Sequence, residues 1–140
     1  NSPGANCERL VELLDLFPTL CDAAGIKIPE EMEGVSLLPL LKKPDRKWKD
    51  TAFTQFHRNP RVTPDKGRYM GYSMFTKHHH LVDWRRWNHI TGTAGESVAL
   101  ELYDLGVDPE ENTNLAQLPQ ATGLVSRLVS QMKRDWPRSE

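Results

Sequence analysis

The sequence predicts an α+β fold: a small antiparallel sheet of about four strands, a C-terminal helix packed on one of its faces, and an apolar helix ahead of the sheet. Three observations point there. Short runs rich in β-branched and aromatic residues lie at 51–56, 69–76, 80–84 and 98–103, as strands require. Leu124, Leu128, Met132 and Trp136 recur every four residues, with Val125 and Val129 beside them, which makes one face of a helix. Leu10, Leu13, Leu14, Phe17, Leu20, Cys21 and Ala24 trace a second helical stripe near the start.

Pro18 interrupts that first stripe. Its ring would clash with the carbonyl of Leu14 in a regular helix, so either the helix kinks or it starts with Asp15 as N-cap. We favour the second, because Pro18 then falls in the first turn, where amide donors are unpaired anyway. Gly25 supplies the stop, and Pro29 lies beyond it. Val11, Leu16 and Ala23 fall off the stripe, leaving the helix apolar over much of its circumference. Such a helix expects cover on more than one side. Residues 33–41 read as a turn and a short helical piece, and 42–47 as a charged, solvated surface linker.

The strand at 51–56 ends in His57, Arg58, Asn59 and Pro60, and a loop follows through Arg68. Residues 69–84 read as a hairpin: 69–76 lead in, Lys77, His78 and His79 turn, and 80–84 return. With two glycines and little periodicity, 85–96 read as a loop. After the strand at 98–103, Gly106, Asp108 and Pro109 favour a tight turn, and the Asn112 and Asn114 side chains can bond nearby backbone. Pro119 suits the first turn of the final helix, and Pro137 marks its end. Residues 1–48 therefore form a connecting segment with a helix near 15–24, and 49–140 form the sheet-bearing domain.

At 140 residues the chain suits one domain with a modest core. Its net charge of −1 gives no global field for nucleic acid or an acidic membrane, so neither is expected as a partner. No apolar run reaches the roughly 20 residues needed to cross a bilayer. The chain opens at Asn1 without an initiator methionine, which suggests a fragment or a processed chain. Of the two cysteines, Cys21 sits on the apolar stripe and reads as a buried free thiol.

Several residues could carry chemistry. His78, His79 and His80 suggest a metal site, yet consecutive strand residues point to opposite faces and cannot converge on one ion. A polar hairpin tip is the better reading. Cys7 and Cys21 lack an activating context for nucleophilic work. His57, Arg58, Arg61, Lys66 and Arg68 form the strongest cationic cluster. It suits either a solvated basic loop or a surface for sulfate, carboxylate or phosphate oxygens, and both readings stay open. Trp84 suits packing, while Trp87 could pack or stack on a sugar ring.

The run 101–116, ELYDLGVDPEENTNLA, resembles the closing motif of the sulfatase family, the alkaline-phosphatase-like hydrolases. VELLDLFPTL at 11–20 with Ala24-Gly25 is similar to the helix before that family's C-terminal subdomain, and EGVSLLPLL at 33–41 to the segment after it. TQFHR at 54–58 and MGYS at 70–73 resemble the iduronate-2-sulfatase branch. That branch usually has proline where His57 stands and arginine where Phe75 stands.

The resemblance implies the C-terminal subdomain of a sulfuric ester hydrolase acting on sulfated, uronic-acid-containing sugars such as glycosaminoglycans. In the family, a Cys/Ser-x-Pro-x-Arg motif bearing formylglycine and a calcium ion lie in a large N-terminal domain. Neither Cys7 nor Cys21 heads that motif, so this chain is expected to carry no catalytic residue, cofactor or metal ligand and to be inactive alone. Its expected partners are that catalytic domain and a sulfated saccharide, with self-association possible through the bare first helix. Gln55, His57 and Arg58 are expected to border the substrate entrance. The family also implies a periplasmic, secreted or lysosomal location. The rival is a stand-alone carbohydrate-binding or scaffold module derived from the same fold.

Overall fold

The computed structural model describes residues 4–61 and 63–136. The chain divides into two units, Asn1–Ala52 and Phe53–Glu140.

In the first unit a 3-10 turn, Leu13–Asp15, runs into α1, Leu16–Ala23. Pro18 lies in the first turn of α1, as the sequence predicts. Gly25 takes φ +68°; its N–H donates to the Asp22 carbonyl, and that of Ile26 to the Cys21 carbonyl. These paired bonds close the helix end through a left-handed residue that glycine adopts without strain. Asp15 departs from expectation. It flanks α1, but its side chain bonds none of the α1 backbone. Instead it accepts from Glu12 N–H at 2.8 Å, Val35 N–H at 3.0 Å and Lys49 Nζ at 2.7 Å. The side chain is fully buried, and a buried carboxylate needs strong donors on every side.

Thr19 adds a second tie: its hydroxyl donates to the Asp15 carbonyl and accepts from Leu37 N–H. Gly34 permits the close approach, since a Cβ there would lie 2.1 Å from the Leu14 carbonyl oxygen. The short helix α2, Leu38–Lys42, follows. Cys21 is a buried free thiol and Cys7 an exposed one. Leu13 and Leu20 stay 87% and 68% exposed, with Leu16, Phe17 and Ile26 also bare.

The second unit holds an antiparallel meander of β1 (Ala52–Arg58), β2 (Tyr69–Phe75), β3 (His79–Asn88) and β4 (Thr93–Asp104), neighbours in chain order. The fold class is thus the one the sequence predicts. The reading of 85–96 as loop is corrected: β3 and β4 run through most of it, leaving a turn at 89–92. The pairing slips between Trp84 and Arg85 and again between Arg85 and Trp87, so the alternation there is irregular. Both strands are also largely exposed in this stretch, so no apolar pattern marks them.

Register assigns the faces. Tyr72 opposes Asp83 and Met74 opposes Leu81, while Leu81 opposes Leu102. Their face receives α3, Thr122–Asp135, entered through a 3-10 turn at Pro119–Ala121. Met74, Leu81, Leu102, Leu128 and Met132 form the core, with Leu124, Val125, Val129 and Trp136 packed against it. Trp136 meets Phe53 and Tyr72 edge to face at 5.1 and 4.9 Å. The stripe legible in the sequence is the buried one. Pro137, expected to end this helix, lies outside the described residues. Among the described residues no helix is long and apolar enough to cross a membrane.

The segment between β4 and α3 folds back along the outer edge of β4. Asn114 Oδ1 accepts from Leu102 N–H and Ala116 N–H, and its amide donates to the Leu100 carbonyl. Asp108 accepts from Thr113 N–H and the Asn112 amide. Asn114 thus makes the backbone bonds its side chain favours and covers a strand edge that would otherwise stand open, whereas the Asn112 side chain bonds the Asp108 carboxylate rather than backbone.

Candidate functional site

The strand that carries the predicted substrate residues is the edge strand β1. Phe53 packs on the core, so alternation puts Gln55 and His57 on the α3 side and Arg58 on the opposite face. Gln55 and Arg58 are exposed and His57 is half-buried. The three are therefore not gathered on one surface; they meet only at the rim of the edge strand.

Arg58 has a built surrounding. Its guanidinium lies 4.6 Å from the centre of the Trp84 ring. Trp84 belongs to β3, two strands away, and reaches Arg58 because Gly71 stands opposite it on β2. A Cβ on Gly71 would fall 2.7 Å from the indole, so the ring needs that gap to lie across β2. The indole N–H donates to Glu101 on β4 at 2.9 Å, and the Tyr103 hydroxyl donates to the other Glu101 oxygen at 3.2 Å. The series Arg58, Trp84, Glu101, Tyr103 thus crosses the sheet on one face. Burial, with the Glu101 charge adding to it, raises the Tyr103 pKa, so the phenol stays a donor. Among the described residues no carboxylate pairs with Arg58.

The rest of the cationic cluster is organised by its own loop. Asn59 accepts from Arg61 N–H, Thr63 donates to the Gly67 carbonyl, and Asp65 accepts from Gly67 N–H and the Tyr69 hydroxyl. The Tyr69 bond comes first in holding the Asp65 carboxyl below its usual range. Lys66 adopts φ +53°, a left-handed conformation in the tip of that loop.

The histidine run divides as alternation demands. His78 is exposed, and His79 and His80 open β3 on opposite faces. His80 has both ring nitrogens engaged, Nε2 with Ser73 Oγ at 2.6 Å and Nδ1 with Glu111 at 2.8 Å, and it stacks on Phe75 at 3.8 Å. Sequence spacing gave no sign of this Ser73–His80–Glu111 arrangement, since Glu111 arrives from a distant loop. Gly71, by contrast, was a usable signal: a glycine inside a strand marks a close approach. On the α3 side, Asp83 is buried and accepts from Arg85 at 2.7 Å and Ser97 at 2.5 Å. Trp87 is half-buried in β3, its N–H donating to the Arg68 carbonyl.

No three His, Cys, Asp or Glu side chains among the described residues are grouped to hold a metal ion. Cys7 is followed by Glu8 and Arg9, and Cys21 by Asp22 and Ala23, so neither offers the x-Pro-x-Arg context of a formylglycine site. Among the described residues, Arg58 on the edge strand stacks on Trp84 and pairs with no carboxylate.

The fold has counterparts in solved sulfatases. A solved 2-O GAG sulfatase superposes with a TM-score of 0.59 at 28% identity, over 86% of this chain and 24% of that one. The chain belongs to the family described as N-sulphoglucosamine sulphohydrolase, C-terminal, whose sequence pattern matches residues 1–136. It is 33% identical to arylsulfatase K of Xenopus laevis, over 85% of this chain and 21% of that protein. It is 32% identical to the Delta 4,5-hexuronate-2-O-sulfatase of Bacteroides thetaiotaomicron, over 81% of this chain and 21% of that protein. The chain spans about a fifth of the length of these relatives.

Proposed function

We propose that this chain forms one wall of the substrate pocket in a sulfatase that cleaves sulfate esters on uronic-acid units, as iduronate-2-sulfatase-like enzymes do. Arg58 is the observation that carries the reading: an exposed guanidinium, stacked on Trp84 and matched to no carboxylate among the described residues. Its planar fork suits the oxygens of sulfate or carboxylate. Gln55 and His57 border the same entrance from the other side of β1, where the edge strand lets both faces meet one ligand. Relatives named for 2-O-sulfated hexuronate and for 2-O GAG substrates support the choice of sugar. Calcium and formylglycine belong, in this reading, to a preceding catalytic domain, and the protein works outside the cytoplasm.

Arg58→Ala in the full-length protein tests this directly. Removing a charge-assisted contact worth about 1.5–3 kcal/mol should lower kcat/KM on a 2-O-sulfated hexuronate disaccharide by roughly 10- to 100-fold. Unchanged kcat/KM removes Arg58 from the substrate and the reading with it.

A further inference from the structure

We infer that Trp84 and Glu101 are positioning residues for Arg58, holding its guanidinium ready for an anion; this rests on the reading of Arg58 as a substrate-facing cation. An exposed arginine on an edge strand samples many rotamers, and fixing it on binding costs entropy. Here one face of the fork already lies against the indole, 4.6 Å from the ring centre, while among the described residues no carboxylate takes its N–H edges. The indole is fixed in turn. Its N–H is held by Glu101 at 2.9 Å, Glu101 is steadied by the Tyr103 hydroxyl at 3.2 Å, and Gly71 leaves the room beneath. The order of the groups matters. Glu101 anchors the ring without pairing with Arg58, so the carboxylate orients the cation through the indole and does not neutralise it.

The test uses the full-length protein and a 2-O-sulfated Δ4,5-unsaturated hexuronate disaccharide. Trp84→Leu should lower kcat/KM by roughly 2- to 30-fold, the span of a cation–π contact, chiefly through KM. Trp84→Phe, which keeps a ring under the guanidinium but loses the N–H that Glu101 holds, should recover part of the loss and retain a KM rise like that of Glu101→Ala. The double variant Arg58→Ala/Trp84→Leu should be no worse than Arg58→Ala alone, because the indole then has nothing to position. Glu101→Ala, which frees the indole N–H, should raise KM in the same direction and decides the matter if Trp84→Leu does not fold. Losses that multiply in the double variant, or wild-type KM in Trp84→Leu or Glu101→Ala beside a loss in Arg58→Ala, overturn the positioning role and leave the Arg58 reading standing. Wild-type kcat/KM in Arg58→Ala overturns that reading, and the positioning role falls with it.

Discussion

Asp15 shows how one buried charge organises a segment with little core of its own. Burial pushes its carboxyl up, but the hydrogen bond from Lys49 and the N–H groups of Val35 and Glu12 outweigh that and hold it below the usual range. A lowered folded pKa means the stabilisation is present in full above the unfolded value near about 3.9 and drains as pH falls through the folded one. Protection of the Val35 amide, corrected for intrinsic exchange, should therefore hold from neutral pH down to about 4.5 and fall below it. Asp15→Asn should cost about 2–4 kcal/mol of local stability and flatten that acid limb. Protection in Asp15→Asn equal to wild type would refute it. Asn114 makes the same point in the second unit, accepting from Leu102 and Ala116 and donating to Leu100. Asn114→Ala removes these bonds of an exposed side chain and should lower the unfolding free energy by about 0.5–1.5 kcal/mol in urea titration.

At the scale of elements, the sheet and α3 share one apolar layer. Met74, Leu81 and Leu102 are fully buried beneath Leu128 and Met132. Leu102→Ala should open a cavity and cost about 2–5 kcal/mol, whereas Leu128→Met, which conserves volume, should cost under about 1.5 kcal/mol. The midpoints of the two variants in a denaturant titration check this, and similar midpoints would show that the layer is not the core. Lys133 and Arg134 in the last turn of α3 suit the negative end of its dipole. Glu111 is the costlier feature. It takes φ +57°, unusual for a non-glycine residue, and its side chain is the one that meets His80.

At the scale of the whole molecule, the exposed apolar surface around the first helix is the dominant fact. Leu13, Leu16, Phe17, Leu20 and Ile26 stay bare in a chain of net charge −1, so little repulsion opposes association. The isolated 140-residue chain should therefore self-associate in sedimentation experiments. Leu16→Ser/Leu20→Ser should shift it toward monomer. A monomeric parent chain at tens of micromolar would count for the stand-alone module instead.

The elements were legible because their signals are local. A helix face, a Pro18 that fits only a first turn, a Gly25 that ends a helix and an Asn114 that turns the chain are each encoded within a few neighbours. Where the local signal failed, at 85–96, the alternation was broken by pairing shifts and the strands were largely exposed. Face and partner were not local. Alternation already separated Gln55 and His57 from Arg58, but only the tertiary fold sent Trp84 across Gly71 to that arginine and brought Glu111 to His80. Register is set by the summed burial of a whole sheet face against α3, since a slip of one residue would turn that face outward. The sequence by itself determined which elements form and which motifs they carry. Tertiary structure alone decided which side chains share a surface, because that depends on residues far apart in the chain burying the same layer.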